Sequence, residues 1–238
     1  MELPFFYIDP AQAASPEISL PEDTSRHIVQ VLRMDKGEAL LLTDGEGQRM
    51  KAVITEAHKR HCLVKVTQSE MVSMPTHALS LAISPTKNNS RFEWLLEKAT
   101  ELGVSSIIPL ICKRTEKQHI RTDRLKQILI SAMLQSQQCW LPRLSEPVKF
   151  STWVQQPHSG MRYMAHCIES GDRLSLASQP LPEAVSIAIG PEGDFTPDEI
   201  KQATDAGVIP VILGNTRLRT ETAGLYAVHW WRLALDRL

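Results

Sequence analysis

The fold of this chain is decided by the stretch Ala184–Gly207, which reads AVSIAIGPEGDFTPDEIKQATDAG. The apolar run at its start predicts a short buried strand. Thr196, Pro197 and Glu199 form a capping box with proline at the first helical position, and they predict where a helix begins. The final glycine predicts where that helix ends. Between strand and helix, the loop Gly190–Gly193 has two glycines, which allow close approach of a ligand to the backbone.

The next segment repeats this strand–loop–helix pattern. Val208–Leu213 is a second apolar run, Gly214–Ala223 is a polar loop, and residues 224–238 have helical character. Two such units in succession predict a parallel sheet, and parallel sheets bind ligands outside the carboxyl ends of their strands. We therefore expect a site at the edge where both loops lie.

The composition is that of an ordinary globular protein. The chain has 238 residues, of which 42% are hydrophobic and 22% are charged, and its formal net charge is −1. No apolar run approaches the roughly 20 residues of a membrane span, and no basic region followed by an apolar core marks the N-terminus. The four cysteines are too widely spaced for a zinc site or a dithiol. We expect a soluble cytoplasmic protein with no membrane partner.

The pattern of the chain changes near residue 72. Before it, a short helix at Arg26–Met34 and strands joined by tight turns predict a small antiparallel barrel. After it, strands and helices alternate, which predicts an α/β domain. In that part, Ser90 with Glu93 predicts a capping box and Arg162–Cys167 predicts a strand. We therefore predict two domains, residues 1–72 and 73–238.

Common catalytic motifs are absent from the sequence. It has no GxGxxG fingerprint with a downstream acid, no Walker A loop, no HExxH and no serine nucleophile elbow. The remaining interpretation is a ligand held mainly by backbone groups of the two glycine-containing loops.

The two loops together resemble the signature of a known family. Gly190–Gly193 (GPEG), Leu213-Gly214 and Leu218–Ala223 (LRTETA) are similar to the signature of the bacterial RsmE-type 16S ribosomal RNA uridine-N3 methyltransferases, members of the SPOUT superfamily. The likeness covers nearly the whole chain, because Arg26–Gly45 resembles the RNA-binding PUA-like domain of that family and Phe92–Val104 its first methyltransferase helix.

The chain departs from the family at two places. The family usually has Gly-Gly where this chain has Gly193-Asp194, and it often has Gln-Ser-Gly-Arg at residues 135–138, which here read QSQQ. The first departure concerns the shape of the cofactor loop, and the second concerns RNA contacts at the end of a helix.

The resemblance implies an α/β fold: a knotted (trefoil) parallel-sheet SPOUT methyltransferase domain with a small N-terminal PUA-like β-barrel. It implies S-adenosyl-L-methionine-dependent methylation of N3 of a uridine, with 16S ribosomal RNA or the small ribosomal subunit as partner. It also implies a homodimer, and an apolar last helix with Trp230 and Trp231 is compatible with an apolar dimer face. A related knotted methyltransferase with another target nucleotide, or a non-catalytic RNA-binding ribosome-assembly protein, are the alternatives.

The cofactor would lie between three strand ends, because its adenine suits apolar walls and backbone groups. The residues implied for S-adenosyl-L-methionine are Ala165, His166, Ile189, Gly190, Pro191, Glu192, Gly193, Leu213, Gly214, Leu218, Thr220, Thr222 and Ala223.

Two residues are candidates for catalysis. Methylation at uracil N3 requires a proton to leave and negative charge on the uracil oxygens to be stabilised, and the base must be unpaired. Arg219 would stabilise that charge, and Glu221 would accept or orient the proton. A phosphate contact or a dimer ion pair is the alternative for Arg219, and a favourable charge in the first turn of the last helix is the alternative for Glu221.

The segment from Lys87 to Lys126 has a positive excess, with nine Lys or Arg against five Asp or Glu. A solvated helix face explains such an excess unless it lies at the same edge as the two loops. The residues expected to reach RNA phosphates are Arg26, Arg33, Lys87, Arg91 and Arg114, with surface solubility as the alternative for each.

Overall fold

The computed structural model describes residues 3–168 and 173–237. The chain divides into two compact units, Met1–Met74 with Met133–Leu141, and Pro75–Ala132 with Pro142–Leu238. Residues 133–141, expected in the second domain, group with the first unit instead. The backbone explains this, because the Gly47 N–H donates to the Cys139 carbonyl at 2.9 Å and the Leu141 N–H donates to the Gly45 carbonyl at 2.8 Å.

The first unit contains a five-stranded sheet in the order β1-β3-β4-β5-β2 within the described residues. The pair β1–β3 is parallel and the other pairs are antiparallel. Its elements are β1 (Phe5–Tyr7), β2 (Glu17–Ser19), α1 (Glu22–Arg26), β3 (Ala39–Thr43), β4 (Gln48–Glu56) and β5 (Leu63–Met71). Alternating side chains of these strands fill one apolar core.

The helix predicted at Arg26–Met34 is present, but it begins earlier, at Glu22, and ends earlier, at Val31. The α-helix ends at Arg26, a π-helical turn follows at His27–Val31, and Arg33 has a left-handed φ of 56°. Of the three apolar residues at helical spacing, Ile28, Val31 and Leu32, only Ile28 packs in the core, whereas Val31 is 64% exposed.

The second unit is a parallel sheet with helices, as predicted. Among the described residues its strands follow the order β11-β13-β10-β12-β6-β7-β8, with β9 paired to β7, and all these pairs are parallel. The elements are β6 (Ala78–Ile83), α2 (Asn89–Glu101), β7 (Ser106–Ile111), α3 (Thr122–Gln135), β8 (Arg143–Leu144), β9 (Val148–Lys149), α4 (Phe150–Gln155), β10 (Met161–Ala165), β11 (Leu174–Ser175), β12 (Ala184–Ile189), α5 (Pro197–Asp205), β13 (Ile209–Ile212) and α6 (Thr220–Leu235).

Two helix caps test the local predictions. The capping box of α5 is confirmed, because the Thr196 hydroxyl accepts from the Glu199 N–H at 3.3 Å and the Glu199 carboxylate accepts from the Thr196 N–H at 2.8 Å. The capping box predicted for α2 is wrong. Asn88 caps that helix by accepting from the Ser90 N–H at 2.9 Å, and the Glu93 carboxylate is paired with Arg124 instead.

The last helix begins at Thr220, four residues before the predicted start at Gly224. Gly224 lies inside α6 because the helix approaches β6 closely there. A Cβ atom at that position would lie 2.6 Å from Cδ1 of Ile83.

The same helix corrects the expected dimer face. Trp230 and Trp231 are 9% and 1% exposed, and they pack within their own chain. The Trp230 ring meets Tyr163 of β10 edge-on, with ring centroids 6.1 Å apart. Neither tryptophan is therefore available as a dimer face. No helix among the described residues has the length and apolar character needed to span a membrane.

Candidate active site

A cavity of about 860 Å³ lies at the carboxyl ends of β10, β12 and β13, beside the start of α6. The parallel order of these strands brings their loops to one edge, as the two strand–loop–helix units predicted. Most of the residues implied for the cofactor line the cavity, namely Ala165, His166, Ile189, Gly190, Pro191, Glu192, Leu213, Gly214, Leu218, Thr220 and Ala223. Arg219 and Glu221 also line it.

Gly193 and Thr222, two of the residues implied for the cofactor, are not among the described residues that line the cavity. Gly193 lies outside the cavity lining, and its carbonyl accepts from the Arg114 guanidinium at 2.7 Å. Thr222 is exposed on α6. Gly193 therefore belongs to the outer side of its loop, and Thr222 faces away from the cavity.

The loop after β12 is tied to the loops on both sides of it. The Glu192 carboxylate accepts from the Lys87 N–H at 2.9 Å, which joins it to the loop after β6. The Asp194 carboxylate accepts from the Cys167 N–H at 2.8 Å, at the end of β10, and from the Phe195 N–H at 2.8 Å. These bonds fix the wall of the cavity that Gly190 and Pro191 provide.

Asp194 has a left-handed backbone, with φ of 63°. Glycine adopts this conformation most easily, and aspartate and asparagine tolerate it better than other residues. This explains why the departure from Gly-Gly at Gly193-Asp194 leaves the loop intact. The aspartate also adds a carboxylate to the cavity lining, a contact that the sequence analysis missed.

The loop after β13 forms the opposite wall. Gly214 has φ of +122°, a conformation that requires glycine. The half-buried Leu213 and Leu218 present apolar surface. Thr220 is 5% exposed, and its hydroxyl donates to the Gly190 carbonyl at 3.1 Å, so the two loops are joined directly.

His166 is a buried polar group that faces the cavity. It is 5% exposed, and neither ring nitrogen has a hydrogen-bond partner among the described residues. Burial lowers the pKa of His166 most strongly, nearby Asp194 opposes this shift and Arg173 adds to it. The imidazole is therefore neutral near pH 7 and offers one donor and one acceptor.

The start of α6 carries the two candidate catalytic residues. Arg219 is the exposed N-cap residue, and its guanidinium has no hydrogen bond or ion pair with any other described residue. Glu221 is 8% exposed, and its carboxylate lies 3.7 Å from the Arg91 guanidinium. The sequence predicts Arg91 as an RNA contact, and no local sequence signal reveals its pairing with Glu221.

The basic residues after β6 and β7 lie at the same edge as the cavity. Arg91 lines the cavity, and the Arg114 guanidinium donates to the Gly193 carbonyl in the loop after β12. Lys87 pairs with Glu116 at 2.9 Å. Three of the nine basic residues of this segment therefore lie at the edge of the sheet that holds the cavity. In the first unit, Arg26 pairs with Glu22 at 2.7 Å and Arg33 is exposed.

No group of three or more His, Cys, Asp or Glu residues within the described chain is arranged to hold a metal ion.

Comparisons with known proteins agree with this geometry. The family model of an RNA methyltransferase domain matches residues 73–232 of this chain, and the family model of an RNA methyltransferase PUA domain matches residues 20–67. A Synechocystis relative, ribosomal RNA small subunit methyltransferase E, is 29% identical over 93% of this chain and 74% of its own.

Solved structures show the same likeness. A Porphyromonas gingivalis protein described as a probable rRNA-methyltransferase is 38% identical, with a TM-score of 0.92 and 99% of each chain covered. Ribosomal RNA small subunit methyltransferase E from Neisseria gonorrhoeae, bound to S-adenosyl methionine, is 28% identical, with a TM-score of 0.84 and 96% of each chain covered. With its second unit matched almost throughout and its likeness extending over both units, this chain belongs to the RNA methyltransferase family that includes ribosomal RNA small subunit methyltransferase E.

Proposed function

We propose that this protein transfers the methyl group of S-adenosyl-L-methionine to N3 of a uridine in 16S ribosomal RNA. The observation that carries the proposal is the cavity at the carboxyl ends of β10, β12 and β13, where the GPEG and LRTETA loops form facing walls. The names of the relatives support the RNA substrate and the reaction. Since the substrate is ribosomal RNA, we place the reaction in the cytoplasm.

The residues of the cavity fit the cofactor. Ile189, Leu213 and Leu218 offer apolar surface to the adenine, and the glycine-containing loops offer backbone groups. The neutral imidazole of His166 suits the ribose hydroxyls, because a hydroxyl is both donor and acceptor. S-adenosyl-L-methionine, when bound, supplies an electrophilic methyl group.

The chemistry at uracil is assigned to the start of α6. Arg219 stabilises negative charge that develops on the uracil oxygens, because its guanidinium is exposed at the cavity and is not neutralised by another described side chain. Glu221 accepts or orients the N3 proton. Arg91 holds the Glu221 carboxylate at the rim of the cavity through their 3.7 Å ion pair.

We propose three further properties of the fold and assembly. The first unit is a PUA-like barrel that binds RNA, with Arg26 and Arg33 as contacts, as its match to the PUA family model supports. The second unit is knotted. Strand β13 lies near one edge of the sheet, and after it the chain runs back across the sheet. Its last helix, α6, packs on α2, β6 and β12 and touches residues 176–178, which belong to the connection between β10 and β12.

The third property is a homodimer formed by the second unit. Trp94 on α2 is 45% exposed, and Tyr226 and Leu233 on α6 are 36% and 45% exposed. Since α2 and α6 pack against each other, their outer apolar side chains supply a new candidate dimer face in place of Trp230 and Trp231. Leu233→Asp should yield a monomer in light scattering, and an unchanged dimer would exclude this face.

The reaction is tested with radiolabelled S-adenosyl-L-methionine and small ribosomal subunits from a strain that lacks the enzyme. Digestion of the RNA to nucleosides should give labelled 3-methyluridine. Label in another nucleoside would favour the related knotted methyltransferase. Absence of both methylation and cofactor binding in calorimetry would favour a non-catalytic RNA-binding protein.

A further inference from the structure

A second cavity of about 450 Å³ lies beside the cofactor cavity, between the first turn of α2 and the segment before and within α3. We call it the α2–α3 cleft. Its described lining consists of Pro85, Thr86, Asn89, Ser90, Phe92, Glu93, Lys117, His119, Ile120, Arg121, Arg124 and Leu125.

The α2–α3 cleft carries surplus positive charge. Lys117, Arg121 and Arg124 line it, and Glu93 is the one carboxylate among its described lining residues. The Arg124 guanidinium binds the Glu93 carboxylate through two hydrogen bonds, of 2.6 and 2.7 Å, so these two charges compensate each other. The ion pairs found among the described residues include neither Lys117 nor Arg121.

Lys117 and Arg121 both act electrostatically on Glu93. The pKa of Glu93 is lowered first by its hydrogen bond from Arg124, and Lys117 and Arg121 add further electrostatic lowering. Both cations therefore lie close enough to act on one carboxylate in the cleft. The N-terminus of α2 adds the partial positive charge of the helix dipole.

The α2–α3 cleft is adjacent to the proposed catalytic end of the cofactor cavity. Ser90 lines the cleft, and the next residue, Arg91, lines the cofactor cavity and pairs with Glu221. The two openings are therefore both lined by residues of the first turn of α2. Protein–protein interface cores, by contrast, are depleted of lysine and of uncompensated charge.

We propose that the α2–α3 cleft binds a backbone phosphate of the RNA strand next to the target nucleotide, through Lys117 and Arg121. This inference rests on the proposed function, since it extends the RNA path away from the site of methylation. His119 lies at the same opening and is exposed.

The test measures binding of a fluorescent single-stranded RNA that contains the target uridine to the full-length protein at several salt concentrations. The variants are Lys117→Gln, Arg121→Gln and both together. Lys126→Gln is the matched control. It removes one charge from an exposed position of α3, the helix that follows Arg121, and it lies outside the described lining of the cleft.

Loss of the phosphate site should reduce the slope of log K against log salt by about 0.7 in the double variant, because one phosphate of the single strand is no longer neutralised. Each single variant should bind RNA about tenfold more weakly at low salt, and the double variant about a hundredfold, since a charge-assisted hydrogen bond contributes about 1.5 kcal/mol or more. Arg121→Lys should restore part of the slope. Lys126→Gln should match the parent protein.

The remaining readouts separate this inference from the proposed function. Cofactor affinity and the methylation rate at saturating RNA should be unchanged in the double variant, and it should keep the oligomeric state of the parent in light scattering. A salt slope of the double variant equal to that of the parent would overturn the phosphate site. A double variant that no longer forms the oligomer of the parent would overturn it too, because the cleft would then be a subunit interface. If the parent protein itself neither binds nor methylates RNA, the proposed function fails first.

Discussion

Replacing Asp194 tests how the cofactor loop is held. Its carboxylate accepts two backbone hydrogen bonds, from Cys167 and Phe195, at 2.8 Å each, and its φ is 63°. A hydrogen bond to a charged group contributes about 1.5–3 kcal/mol, and Asp194 is only half-buried, so we take the lower end and obtain about 3 kcal/mol for the two. An alanine in the left-handed region costs about 1 kcal/mol more.

The expected ranking follows from these two contributions. Asp194→Ala loses both and should destabilise by about 4 kcal/mol. Asp194→Gly keeps the backbone conformation without steric strain and should destabilise by about 3 kcal/mol. Asp194→Asn keeps one acceptor oxygen and a side chain that tolerates this conformation, and it should destabilise by about 2 kcal/mol.

Thermal unfolding measures this ranking. For a chain of this size, 1 kcal/mol shifts the midpoint by roughly 2–4 °C, so the alanine variant should unfold roughly 8–16 °C below the parent. The affinity for S-adenosyl-L-methionine, measured by calorimetry, should fall in the same order. A glycine variant that unfolds at or below the alanine variant would refute the backbone argument. Three variants equal to the parent would refute the hydrogen-bond argument.

Three further predictions address catalysis, protonation and packing. Arg219→Ala should bind S-adenosyl-L-methionine with an affinity within a few-fold of that of the parent, but its single-turnover methylation rate should be lower by roughly 10²–10³. Arg219→Lys should recover part of that rate, and an unchanged rate of Arg219→Ala at saturating RNA would identify Arg219 as a phosphate contact. Because burial lowers the pKa of His166, the unfolded chain binds a proton that the folded chain excludes, so stability falls as the pH drops below about 6.5. His166→Phe should remove this part of the pH dependence in unfolding at pH 5 and 8, and an identical profile would contradict it. Gly224→Ala should destabilise by up to about 2 kcal/mol, because overpacking of its Cβ against the buried Ile83 Cδ1, at 2.6 Å, costs about 1–3 kcal/mol and the higher helix propensity of alanine offsets about 1 kcal/mol. A neutral result in thermal unfolding would show that the Ile83 side chain moves aside.

The sequence predicted the parts of this fold that depend on local signals. The capping box at Thr196 and Glu199 and the apolar runs that became β12 and β13 fix two strand ends, and a parallel sheet brings those ends together. The site followed from that geometry, because loops at one sheet edge must face the same ligand.

The features that the sequence did not predict depend on contacts between residues distant in the sequence. Ser90 and Glu93 have capping-box spacing, but Arg124 takes the carboxylate and Asn88 caps the helix instead. The pairing of Arg91 with Glu221 joins α2 to α6, and no pattern within either helix indicates it.

Burial was also beyond the local pattern. Two adjacent tryptophans in an apolar helix fit an interface as well as a core, and only the packing of α6 on β6 and β12 assigns Trp230 and Trp231 to the core. The short strands β1 and β2 have three residues each, too few for a periodicity to be recognised.

The hydrogen bonds that join the loops have a consequence for turnover. The loop after β12 is bound to the loop after β6 through Glu192, to the end of β10 through Asp194 and to the start of α6 through Thr220. Displacement of the loop after β12 therefore breaks bonds to three neighbouring segments at once. We expect each of these bonds to add to the free energy needed to open this wall when the spent cofactor leaves.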